Sequence, residues 1–243
     1  MGAARSAVAA TAGTLGRQVH GQLRELLVAG VLSPGEKLSL RTIAGRLGVS
    51  VQPVREAVSR LIADRALDVL PNRAVRVPLL TLGQFRELTT IRLAIEGFAA
   101  SRAATERSGA DLAAIRRHER AFRRQRQRAK PDLAAAVAAN QALHFAVYRA
   151  AGLAELLPII EGLWLRIGPV LNLDLRMNAS RVRAANAERC HERLLAAIEK
   201  RDAAGARAAL AADIRGAARY IESRGILPEG TAAKATGGGR HGP

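Results

Sequence analysis

At 243 residues the chain is long enough for a small module and a larger one, each with its own core. It carries 38 Lys and Arg against 21 Asp and Glu, a formal net charge of +17 that favours polyanionic partners and makes binding to them salt-dependent. The single cysteine, Cys190, excludes an intramolecular disulfide framework and a Cys-rich zinc motif, and fits a reducing cytoplasm.

The alanine-rich stretch 1–14 has no secretory core and is too short and punctuated to span a bilayer, so it reads as a disordered tail. Val19, Leu23, Leu26 and Leu27 then form the apolar side of a first amphipathic helix that ends near Gly30, before the turn Ser33-Pro34-Gly35. Residues 38–69 pack two short helical periods around Gly48-Val49-Ser50. Ile43, Ala44 and Leu47 mark the first, which Gly48 closes because that position calls for a positive φ. Ser50 is expected to restart the chain as an N-cap, its hydroxyl taking a free backbone N–H.

In the second period Val54, Ala57, Val58, Leu61 and Ile62 form a buried stripe, leaving Gln52, Arg55, Ser59 and Arg60 on the opposite face. Pro53 is tolerated in a first turn whose N–H groups lack intrahelical partners. A second helix with Gln and Arg on its exposed N-terminal turn is suited to enter a major groove, although arginines on a helix are also commonly just a solvated face. Leu67 and Val69, then Pro71-Asn72-Arg73, then Val75 and Val77 alternate at period two around a turn, which predicts a small β-hairpin wing. Arg73 at its tip and Arg76 beside it are placed to touch phosphate or the minor groove.

From Thr81 onward the pattern is helical, with breaks near Gly109, Pro131, Gly152, residues 169–178 and Arg201-Asp202. This predicts roughly six helices in an antiparallel bundle. The fold class is therefore mainly α, a winged helix-turn-helix followed by a helical bundle. No Gly-rich phosphate loop, Gly-x-Ser-x-Gly elbow or His-Glu-x-x-His motif appears, which argues against nucleotide hydrolysis and serine-hydrolase chemistry. Residues 227–243, rich in Gly and Ala, read as a second disordered tail.

Polar residues on apolar helix faces are where a bundle builds a ligand site. Asn140 and His144 stand four apart among Ala, Leu, Phe and Val, so their side chains project from one face. His191 precedes Leu194, Leu195 and Ile198, and Asp213 lies beside Leu210 and Ile214. One amide oxygen, two imidazoles and one carboxylate can hold a divalent metal with positions left for water or an organic acid. The plainer reading is two satisfied core histidines and an aspartate paired with an arginine. Small acids call for a bidentate cationic anchor, for which Arg92 leads and Arg166, next to Leu165 and near Trp164, is second. Arg92 equally suits an i,i+4 ion pair with Glu96.

The segments AGVLSPGEKLS, LGVS and PVREAV resemble the winged helix-turn-helix of the GntR family of bacterial transcription regulators, over residues 19–77. That resemblance implies DNA contacts from Arg41, Gln52 and Arg55, with Ser50 at the head of the same helix, and from Asn72 and Arg73 in the wing. The family usually has Arg where this chain has Val51, and Gly at the wing tip where it has Ala74. The segments NQALHFAVYRAAG and CHERLLAAIEKRD resemble the FCD effector domain of the FadR-type branch, over roughly residues 84–220. Its metal set is usually one Asp and three His, so here Asn140 stands for the acid and Asp213 for the last His, leaving the summed ligand charge unchanged.

The expectations are thus a DNA-binding domain at 15–78 and an effector-binding and dimerisation domain at 79–226. The chain would be a cytoplasmic, metabolite-responsive regulator, not an enzyme. It would read a double-stranded operator as a homodimer, its two heads about one helical turn apart. Zinc is the first choice of metal by imidazole content, with nickel and manganese as other fits, and a small organic acid is the expected effector. The alternatives are a sequence-tolerant architectural DNA protein and a metal-dependent enzyme.

Overall fold

In the computed structural model the backbone is described for residues 2–177 and 185–230, and side chains for 15–173, 175–177 and 187–230. The stretch 231–243, most of the expected C-terminal tail, lies outside the described residues. Helix α1 spans Gly2–Val28. The alanine-rich stretch expected as a tail is therefore helical in its backbone, in keeping with the helix propensity of alanine.

The reading head follows as β1 (Lys37–Leu38), α2 (Leu40–Leu47), α3 (Val51–Ala63), β2 (Asp68–Val69) and β3 (Val75–Arg76). The wing is a three-stranded antiparallel sheet in the order β1-β3-β2, one strand more than the expected hairpin. Helix α2 is capped at its start by Ser39, whose Oγ accepts from the Thr42 N–H at 3.2 Å, and closed by Gly48 at φ 64°. Ser50 has N-cap backbone geometry, but its side chain makes no capping bond. The reason is local: the third helical position is Pro53, which has no N–H to donate. Val54, Ala57, Val58 and Leu61 are buried as expected, with Ile62 partly so.

Six helices follow among the described residues: α4 (Leu82–Glu106), α5 (Gly109–Gln127), α6 (Leu133–Ala150), α7 (Leu156–Met177), α8 (Ala185–Glu199) and α9 (Ala203–Ser223). Capping residues mark most of the expected breaks. Thr81 and Ser108 each form a capping box, and Asp132 and Asp202 accept from first-turn N–H groups. Within the break expected over residues 169–178, Pro169 sits inside α7, which ends at Met177. The helix persists because Ile167 and Val170 on either side of it are buried in the core, and that packing outweighs one lost backbone bond. By length and composition α7 is apolar enough to cross a membrane, yet half of its apolar window is buried inside the protein, as expected of a core helix.

The two modules share one core. Val19, Leu23 and Leu27 of α1 and Leu61 of α3 belong to the same apolar cluster as Leu143, Phe145 and Trp164 of the bundle. Where α1 ends, backbone meets backbone. A Cβ on Gly168 would lie 2.8 Å from Val28 Cα, and one on Gly30, itself at φ +65°, would lie 2.7 Å from the Leu173 nitrogen. Asn172, 1 % exposed, donates from Nδ2 to the Val28 carbonyl at 2.5 Å, pairing a C-terminal carbonyl of α1. Arg24 and Glu161 add an ion pair at 2.8 Å across the same seam. Gly168→Ala is expected to cost about 1–3 kcal/mol by forcing α1 off α7, which thermal melting should show as a fall of roughly 3–10 °C. An unchanged melting temperature would mean that the seam yields freely.

Candidate functional site

The first surface is the exposed face of the reading head. Arg41 on α2 and Ser50, Gln52, Arg55, Ser59 and Arg60 at or along α3 are all exposed. Gln52 Nε2 donates to Glu56 Oε1 at 3.2 Å, an exposed bond that a base edge can replace. Ser50, freed of capping duty by Pro53, keeps its hydroxyl at the helix N-terminus, where a phosphate is favoured. In the wing, Asn72 Oδ1 accepts from the Ala74 N–H at 3.1 Å and Arg73 sits exposed at the tip with φ 62°. The residue in the left-handed region is Arg73 and not Ala74, so alanine at 74 carries no backbone strain. Arg76 is partly buried and lies 3.7 Å from Asp68 on the neighbouring strand.

The second site lies inside the bundle. A small cavity of about 40 Å³ is lined by residues that include Arg92, Asn140, His144, Trp164, Asn172 and Asp213. His144 Nε2 is 3.3 Å from Asp213 Oδ2, and His191 Nε2 is 3.8 Å from Asp213 Oδ1. One ligand atom from each of these three residues lies within 4.8 Å of the others, close enough for a single ion. Asn140 lines the same cavity, so the structure brings the four expected ligand residues to one place from α6, α8 and α9.

The chemistry of the donors fits a cation. Among the described residues both ring nitrogens of His191 are buried without a hydrogen-bond partner, an arrangement that costs free energy unless something takes a lone pair. Burial lowers its pKa to about 4, although Asp213 pulls the other way, so the imidazole is neutral at ordinary pH and has a lone pair to give. Phe122 stacks edge-on against it at 4.9 Å, fixing the ring.

Arg92 does not present a free anchor. It is 3 % exposed and is engaged by Glu96, with Nε to Oε1 at 2.6 Å and Nη2 to Oε2 at 3.1 Å. Burial opposes its charge, but Glu96 beside it more than offsets this and holds its pKa above the ordinary value. The ion-pair alternative for Arg92 is thus the one realised, and its guanidinium also lies 5.2 Å over the Trp164 ring. Arg166 is partly exposed and is not among the residues lining the cavity.

Three residues that sequence reading passed over complete the site. Tyr148 hydrogen-bonds both Glu96 and His144, and Trp164 lines the cavity with an indole N–H that has no partner among the described residues. Asn172 joins the cavity wall to α1. Tyr148 was findable, since 140, 144 and 148 share one helix face. Trp164 and Asn172 act through contacts distant in sequence. A wider open cleft of about 630 Å³ at the seam carries Arg24, His118 and Arg149, but Arg24 is already paired with Glu161.

Comparison with known proteins settles the family. The model of the bacterial regulatory proteins of the gntR family matches residues 15–77, and that of the FCD domain matches residues 87–216. The chain belongs to the GntR family, as a transcriptional regulator with an FCD domain. It is 34% identical over 195 residues to the HTH-type transcriptional regulator McbR of Escherichia coli K12, covering 80% of this chain and 86% of that one. The solved structure of E. coli McbR/YncC superposes with a TM-score of 0.79 at 29% identity, over 86% of this chain and 98% of that one. A putative GntR regulator from Rhodococcus sp. RHA1 shares the fold at TM-score 0.70 and 22% identity, over 86% and 97% of the two chains. The HTH-type transcriptional repressor RspR of E. coli K12 is 36% identical over 89 residues, 37% of this chain and 39% of that one.

Metal-stripped protein given zinc at about 100 times its Kd is expected to gain about 3 kcal/mol, read as a rise in melting temperature of roughly 5–12 °C. His191→Ala should abolish that rise. No rise with zinc, nickel or manganese would mean that the cluster is only core packing.

Proposed function

We propose that this regulator binds a two-half-site operator as a homodimer and that a divalent metal with a small carboxylate, held in the bundle cavity, tunes that binding. Support for the DNA contacts is that Arg41, Ser50, Gln52 and Arg55 of the helix-turn-helix and Asn72 and Arg73 of the wing are all exposed. Gln and Arg on the first turns of α3 match base-edge acceptors in the major groove, while the Ser50 hydroxyl and Arg73 suit phosphate.

The metal would be held by His144, His191 and Asp213, with Asn140 as a further oxygen donor. Zinc remains the first choice. Charge then sets the effector class. Arg92 and Glu96 cancel, the two imidazoles are neutral ligands, and one carboxylate leaves a divalent ion with net charge +1, which draws a small anion. Trp164, with its unpaired indole N–H, supplies a donor for that anion. Roughly two or three waters fill about 40 Å³, so a bound acid has few heavy atoms unless α7 yields.

The observation that carries the coupling is Asn172, which lines the cavity and pairs the last carbonyl of α1, the helix on which α3 packs. A ligand that moves Asn172 moves the seat of the reading head. We read the site as a sensor and not a catalytic centre, because Glu96 is held by Arg92 and Asp213 stands among the three ligand groups. For the second chain, Ile91 and Phe98 on α4 offer an exposed apolar i,i+7 stripe, at 37 % and 45 % exposure. A cytoplasmic location follows from the DNA partner.

Fluorescence anisotropy on the natural upstream DNA and on a scrambled control, at near-physiological salt, tests the reading. The natural DNA should be preferred, and Arg55→Ala should weaken it by about 1–3 kcal/mol, roughly 5- to 150-fold. Equal binding to both, lost as salt rises, would leave only a charge-driven architectural protein.

A further inference from the structure

The buried polar chain that ends at His144 fixes where that ring carries its proton. Glu96 accepts from Arg92 on both carboxylate oxygens and from the Tyr148 hydroxyl on Oε2 at 2.5 Å. A carboxylate engaged by a guanidinium has only acceptors to offer, so at this contact Tyr148 is the donor. Tyrosine has a single hydroxyl proton. The other contact of that oxygen, 3.1 Å to His144 Nδ1, must then run the opposite way, with the ring N–H donating. A neutral imidazole protonated on Nδ1 has its lone pair on Nε2, and Nε2 is the atom that faces Asp213 Oδ2 at 3.3 Å.

We infer that Tyr148 is a positioning residue: by giving its hydroxyl proton to Glu96 it sets His144 in the Nδ1–H tautomer and turns the Nε2 lone pair toward the site shared with Asp213. With the ring neutral and no cation present, two acceptors would face each other there. With one, the clash becomes coordination. Tyr148, buried at 2 % exposure, and the Arg92–Glu96 pair behind it thus prepare the ligand while touching neither ion nor effector. Arg92, expected as the effector anchor, is placed instead at the far end of this chain, where it keeps Glu96 an acceptor. The inference rests on reading the cavity as a metal site, and its test separates the two.

Long-range proton–nitrogen NMR of metal-free, histidine-labelled protein reports the tautomer directly, with His144→Gln identifying the resonance. At a pH of about 8, above the ordinary histidine range, wild type should show Nδ1–H and Tyr148→Phe should show Nε2–H. Competition with a chromophoric chelator should show zinc binding weakened about 10- to 100-fold in Tyr148→Phe. Wild-type His144 protonated on Nε2, or a tautomer and zinc affinity that Tyr148→Phe leaves unchanged, would overturn the inference. Nδ1–H in a wild-type protein that binds no zinc would support the tautomer and sink the metal reading. Should Tyr148→Phe fail to fold by near-ultraviolet circular dichroism, the wild-type spectrum alone decides.

Discussion

The close approach of α1 to α7 is the constraint on which the rest of this molecule depends. At Gly168 and Gly30 there is no room for a Cβ, so backbones and not adjustable side chains set the distance between the reading head and the bundle. Such a contact is stiff. A side-chain interface absorbs a shift of a few tenths of an ångström, whereas packed backbone passes it on. Asn172 sits at this joint with its amide nitrogen on the Val28 carbonyl and its side chain in the cavity wall. The helix that carries the head's core residues Val19, Leu23 and Leu27 is therefore capped by a residue of the ligand cavity.

Inside the bundle a line of polar groups runs through an apolar interior, from Arg92 through Glu96, Tyr148 and His144 to Asp213. Buried ionic groups are costly unless every member is satisfied, and here the Arg92–Glu96 end is well satisfied while His191, beside the other end, has no hydrogen-bond partner among the described residues. The unsatisfied end is where the three ligand residues converge. This asymmetry gives the cavity its direction: charge balance at one end, open lone pairs at the other. It also explains why an arginine at the cavity wall is a poor anchor for an acid, since the anion would have to displace a paired carboxylate held by two hydrogen bonds.

Much of this was legible in the sequence, for reasons that differ by element. The helix-turn-helix was readable because its signals are local: the stripe of α3, the left-handed Gly48 and the first-turn Pro53 need no tertiary partner. The same locality, read one step short, assigned Ser50 a capping bond that Pro53 removes, and missed Ser39, the residue that does cap α2. Of the break expected over residues 169–178, Pro169 itself does not interrupt α7, which runs to Met177, because a propensity argument there met a buried helix whose packing outweighs it. In the bundle, apolar faces exposed the polar candidates Asn140, His144, His191 and Asp213, and the fold gathers them. Arg92 had two local readings that its spacing could not separate. Tyr148 could have been found from the helix face it shares with Asn140 and His144, whereas Trp164 and Asn172 owe their roles to groups 20 and 144 residues away, which no local pattern reveals.

The most direct test of the coupling compares wild type with Asn172→Leu, each titrated onto operator DNA without ligand and with zinc plus acetate. In wild type the ligand should change operator affinity by about 5- to 150-fold. In Asn172→Leu the change should vanish while zinc binding, measured by chelator competition, persists. An equal change in the variant would contradict the account, because the cavity would then reach the reading head by a route that bypasses the joint.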